Sequence, residues 1–206
     1  MHKTLSALIA TNVIIWLCSA APVQNAYAFD SNDLASIGAA YATHIFLHEM
    51  GHHVVAQDVG AVSPQMSFFT QKGGKLYPGL STCKSVPGES RLPYAVGGDR
   101  MAGYTFEYAL ESYRRTPTTY NKALMFFSCA DFLFYTFLAN YVDPDNEMCD
   151  PNLIRAETGC SKEVLLGLVM TKTLLNTYRV MNPDANFAPT IWVDRRSAAL
   201  LFSFRF

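Results

Sequence analysis

The sequence predicts a mainly α protein: a small helical, membrane-embedded bundle with a β-hairpin or small sheet inserted after its first long helix. Three observations carry that class. Apolar residues recur at helical spacing in four separate stretches. One of these, Asn121 to Val142, holds about 20 residues with a single interior charge, Asp131, and is long enough to cross a bilayer. Between the first two stretches, Pro64, Gly73-Gly74, Pro78 and Gly79 punctuate short strand-like runs such as Met66-Ser67-Phe68-Phe69.

The elements follow in order. His2 and Lys3 precede an apolar run from Leu5 to Ala21, and Ala26-Tyr27-Ala28 offers the small residues a signal peptidase reads. Residues 1–28 are therefore expected to be a signal peptide cleaved before Phe29, or an uncleaved signal anchor, with residues 29–206 as one domain. Ser31-Asn32-Asp33 supplies cap-type side chains ahead of Leu34, Ile37, Ala40, Tyr41 and Ile45, so a helix is expected from there to Gly60. Ser63 to Lys84 is the hairpin. Leu92 to Tyr113 returns to helix and is rich in small residues (Gly97, Gly98, Ala102, Gly103) that permit close helix approach. Asp143 to Glu157 reads as an acidic, solvated loop, and Lys162 to Met181 as the last helix. The tail alternates Leu200, Phe202, Phe204, Phe206, similar to the closing strand of an outer-membrane barrel. The helices before it point instead to an edge strand beside the Met66 region, or to a loose end.

Composition narrows the class. Of 206 residues, 50% are hydrophobic and only 16% charged, against about 25% charged in ordinary soluble domains. A formal net charge of −1, with no basic stripe, argues against a nucleic-acid partner. An exported chain meets an oxidising compartment, and Cys149 with Cys160, flanking a short polar loop, is the expected disulfide. Cys129, deep in apolar sequence, reads as a buried free thiol.

The chemistry centres on His48-Glu49-Met50-Gly51-His52. Two histidines four residues apart lie about 40° from one another around a helix, so both imidazoles can reach one ion. Glu49 is then placed to act on water as a general base. Catalytic zinc takes three protein ligands. His44 continues the stripe, yet it stands about 12 Å from His52 along a straight helix. That makes it a supporting or packed residue. His53 points away from the pair. Asp131 is the preferred third ligand, because a carboxylate in Phe126-Phe127-Ser128-Cys129-Ala130-Asp131-Phe132 is costly to bury without a cation. Glu107 is the runner-up, and Asp150 remains a third possibility, although Asp143, Asp145 and Asp150 read as solvated.

HEMGH, with Ala56 and Gly60 at four-residue steps beyond it and strands around Met66 to Phe69, resembles the site-2 protease family of zinc metalloproteases. Ala102-Gly103-Tyr104 is similar to the second core helix of its shorter bacterial branch. The resemblance covers roughly residues 34 to 142. It implies Zn²⁺ as cofactor, His48, His52 and Asp131 as metal ligands and Glu49 as the catalytic base. It further implies hydrolysis of a protein or peptide substrate in the cell envelope, a membrane protein among the candidates. The chain departs from the family at Ala130-Asp131-Phe132, where Leu-Asp-Gly is usual, and at Gly103 to Glu107, which lacks the family's asparagine. Two other readings stay open: an exported soluble zincin with Glu107 as third ligand, and an inactive metal-binding or scaffold protein.

Overall fold

A computed structural model of the chain describes residues 30–146 and 149–204; the expected signal segment, 1–28, lies outside them. The chain divides into two units, Met1–Ser31 and Asn32–Phe206, and the architecture below belongs to the second. The mainly helical class is what forms, with two separate antiparallel hairpins.

Helix α1 runs Ser31–Asp58. Its buried stripe is Ala40, His44, His48, His52 and Ala56, one residue per turn, with Gly51 beside it. Three of those five are histidines, only 2–6% exposed. A polar seam facing the core needs partners. The expected hairpin follows as β1 (Gln65–Lys72) and β2 (Lys75–Thr82), closed by Gly73 and Gly74, both with positive φ as a tight two-residue turn demands.

The single helix expected over Leu92 to Tyr113 is broken in two: α2 (Arg91–Ala95) and α3 (Gly97–Arg115), meeting at Val96. Just past the break, α3 crosses α1 backbone to backbone. A Cβ on Gly97 would lie 2.8 Å from the Gly51 carbonyl oxygen, and one on Gly51 would lie 2.7 Å from Met101 Cβ. Small residues make the close approach possible, as the sequence suggested. Helix α4 (Thr119–Tyr141) returns antiparallel to α3, capped by the Thr118 hydroxyl, which accepts from the Asn121 amide.

The expected acidic loop is partly a helix, α5 (Asp150–Thr158), bracketed by Pro151 in its first turn and Gly159 at φ 68° after its end. Helix α6 (Lys162–Met181) has the expected bounds and is capped by Ser161. The tail does not pair with the Met66 region. It forms its own hairpin, β3 (Phe187–Val193) with β4 (Ala198–Phe204), turned by Asp194, whose carboxylate accepts from the Arg196 and Ser197 amides.

Two apolar clusters hold the unit together. Ala40 packs with Phe106, Leu110, Leu124 and Met125 between α1, α3 and α4. Leu92, Phe132, Ile154, Leu165, Val169 and Ile191 join α2, α4, α5, α6 and β3. Among the described residues α4 is the one helix long and apolar enough to cross a membrane, with half of its most apolar 18-residue window buried inside the protein.

The four described cysteines are free thiols, so the expected Cys149–Cys160 disulfide does not form. Helix α5 lies between the two residues, and its nine residues span about 13 Å. A disulfide needs Cα atoms within about 7 Å.

Candidate metal centre

The site is built on α1. Helical geometry stacks His48 and His52 one turn apart, and their Nε2 atoms approach to 3.3 Å. The third member comes from α5: Asp150 Oδ2 is 3.1 Å from His52 Nε2 and 3.5 Å from His48 Nε2. Ligands on a tetrahedral ion bonded at zinc's usual distances stand about 3.3 Å apart. All three edges of this triangle match that figure.

The far sides of the rings explain why the Nε2 atoms face inward. His52 Nδ1 lies 2.8 Å from the Tyr94 carbonyl oxygen, which can only accept, so Nδ1 carries a hydrogen and, in the neutral ring, Nε2 holds the lone pair. His48 Nδ1 lies 2.8 Å from Asp131 Oδ2, with the same consequence. Two imidazole Nε2 atoms and a carboxylate oxygen thus converge on one point. Protons on the Nε2 atoms, or a metal ion in their place, balance the charge of the carboxylate.

The titration of the groups reflects it. Burial would lower both histidine pKa values, yet the Asp131 charge and hydrogen bond, then Asp150, lift His48 well above its ordinary value. Asp150 similarly lifts His52. Burial would raise the Asp150 pKa; the His52 charge and the hydrogen bonds from His48 and His52 hold it below the ordinary range.

Gly98, on the first turn of α3, completes the cradle. A Cβ there would clash with both Nε2 atoms, well inside van der Waals contact, and would lie 2.7 Å from His48 Cε1. The space in front of the imidazoles is therefore kept free of side-chain atoms by a glycine. The donor set and this cradle fit a zinc ion.

The expected ligands fall into two groups, His48 with His52 and Asp150, and His44 with His48 and Asp131, either of which could hold a metal ion. Asp131 lies behind His48, with Oδ1 3.1 Å from His44 Nε2. At 2.8 Å its approach to His48 is shorter than a ligand–ligand edge and is that of an ion pair. Asp150, read from sequence as a solvated loop residue, is half-buried in the group with His48 and His52. Its place in the first turn of α5 also suits a carboxylate. Glu107 is far from this chemistry: it holds Arg179 in a two-pronged pair at 2.5 and 2.7 Å, inside the α3–α6 interface. His53 turns outward to Gln57.

Glu49 lines a cavity of 770 Å³ together with His48, His52, Asp150, Tyr135 and Tyr94. Strand β2 runs over it, and Gly79 makes room: a Cβ there would lie 2.7 Å from Glu49 Cγ. Burial raises the Glu49 pKa above the ordinary value, opposed by the nearby histidines and by the Ser81 amide, which donates to it. Tyr94 ties α2 to the same strand, its hydroxyl donating to the Ser81 carbonyl at 2.9 Å; burial pushes its pKa up to about 12. The apolar part of the cavity is walled by Tyr41, Ile45, Phe127 and Phe134 from α1 and α4 and by Leu76 and Pro78 from β2.

Searched against protein-family models, curated proteins and solved structures, the chain matches none.

Proposed function

We propose that this protein is a zinc-dependent peptide hydrolase in which His48, His52 and Asp150 hold the metal and Glu49 is the general base. The observation that carries the reading is the convergence of two Nε2 atoms and one carboxylate oxygen beside a half-buried glutamate, in a cavity large enough for a peptide segment. Zinc supplies Lewis acidity, acidifying water and polarising a carbonyl. The chain's own residues do the rest. Glu49, desolvated and with its pKa raised towards neutrality, accepts a proton from the attacking water and returns it to the departing amine. Strand β2 and the aromatic wall of α4 flank the entry, so an extended peptide with bulky apolar side chains suits the cavity.

The reading of residues 1–28 as an export signal supports an activity in the cell envelope. Alkaline extraction of membranes tests the position of α4: a protein that stays in the pellet has it in lipid, and one that is released uses it as a core helix.

The deciding experiment measures zinc content and hydrolysis of a fluorescent unstructured protein, in wild type and Glu49→Gln. About one zinc per chain in both, with activity reduced ~10²–10⁴-fold in the variant, is expected. A wild type that takes up no zinc sinks the reading. Zinc without hydrolysis would move the protein to the inactive metal-binding class.

A further inference from the structure

The stripe on α1 contains one more histidine than a two-histidine site requires. His44 is 2% exposed, and its Nε2 lies 3.1 Å from Asp131 Oδ1, while the other oxygen of Asp131 lies 2.8 Å from His48 Nδ1. His44 Nε2, His48 Nδ1 and Asp131 Oδ2 are all buried and, among the described residues, none has a partner in full hydrogen-bonding geometry, so their close polar approaches are these two ion-pair contacts. Each is satisfied by the other two residues or by nothing. Leaving any of them alone would cost a desolvation penalty.

We infer that His44 and Asp131 are positioning residues that set the metal affinity of the site through His48. His44 donates its Nε2 hydrogen to Asp131 and fixes the carboxylate. Asp131 takes the Nδ1 hydrogen of His48, which selects the tautomer whose lone pair faces His52 and Asp150 and makes that nitrogen a stronger donor. Four-residue spacing puts all three histidines on one face of α1: two bind, and the third braces the brace. His52 is oriented differently, by the uncharged Tyr94 carbonyl, so the electrostatic support falls on His48 alone.

The inference rests on the metal site proposed above, and zinc affinity tests the two separately. Affinity is read by competition with a chromogenic chelator in wild type, Asp131→Asn, His44→Leu, His44→Gln and the double variant Asp131→Asn/His44→Leu. Asp131→Asn is expected to weaken zinc ~10–100-fold, the range found for partners of metal-bound histidines. His44→Leu should weaken it by up to about tenfold, within that range. His44→Gln, whose side-chain amide can still donate to the carboxylate, should restore most of that loss. In the Asp131→Asn background His44→Leu should cost nothing more, because the residue it acts through is already gone.

Additive losses, or equal effects of leucine and glutamine at position 44, would show packing rather than positioning and overturn the inference. So would an unchanged affinity in Asp131→Asn, a readout that survives even if His44→Leu does not fold. A wild type without zinc would instead sink the metal site itself.

Discussion

His48 has two sides, and they carry different chemistry. On its Nε2 side stand His52 and Asp150, with separations of 3.1 to 3.5 Å. On its Nδ1 side stands Asp131, at 2.8 Å, with His44 behind it. Both sides hold a half-buried carboxylate, and both groups could hold a metal ion. The first set runs from 3.1 to 3.5 Å and the second stands at 2.8 and 3.1 Å. On the function proposed above, one imidazole separates a binding half from a supporting half.

The comparison breaks most sharply at Asp150. Asp150→Ala should weaken zinc by well over the ~10–100-fold expected of a supporting residue, leaving substoichiometric metal at micromolar protein. If its effect were no greater than that of Asp131→Asn, the two halves would have been assigned the wrong way round. Gly98→Ala comes next. Its methyl group would occupy the space before both Nε2 atoms, so zinc uptake should be lost unless α3 shifts, and overpacking should cost about 1–3 kcal/mol in thermal or urea unfolding. Normal zinc binding with unchanged stability would show that the ion does not sit there.

A smaller effect concerns pH. The pKa values of both His48 and His52 are raised by their carboxylates in the metal-free chain. Zinc must displace those protons, so its apparent affinity should fall as pH falls, about tenfold per unit for each proton released. Because the values lie above the ordinary histidine pKa of about 6.5, the slope should persist above neutrality. An affinity that is flat from about pH 7 upward would mean ordinary histidines. The smallest effect belongs to Tyr94→Phe. His52 is held by the backbone carbonyl of residue 94, which no side-chain change removes. Loss of the hydroxyl's bond to Ser81 should cost about 1 kcal/mol of stability and leave zinc affinity alone.

What could be read from the sequence follows from how local each feature is. His48, Glu49 and His52 lie within five residues, so helix geometry alone brings the imidazoles together. The β1–β2 hairpin announced itself through Gly73-Gly74, and the end of α6 through Asn182-Pro183. Asp131 was visible as an expensive carboxylate in apolar sequence. Its role was not, because nothing in a sequence says which ring nitrogen a carboxylate will face. Asp150 was hidden among acidic neighbours. A signal was there: Pro151 and Gly159 bracket a short helix around Leu153 and Ile154, and a helix docked through those residues turns its first carboxylate inward. The break at Val96 and the C-terminal hairpin depend on packing against α1 and on the Asp194 turn, and the alternation of the last residues alone did not name a partner strand.

The proposed ligands come from places far apart in the chain: His52 and Asp150 are separated by 98 positions. An ion bridging them would bind the folded chain and not the unfolded one, and so stabilise the fold by mass action, about 2.7 kcal/mol at a hundred times its dissociation constant. The described cysteines form no disulfide. In this protein a single metal would tie α5 to α1 from a distance along the chain, and a chelator would remove that stabilisation while the apolar core still holds α5.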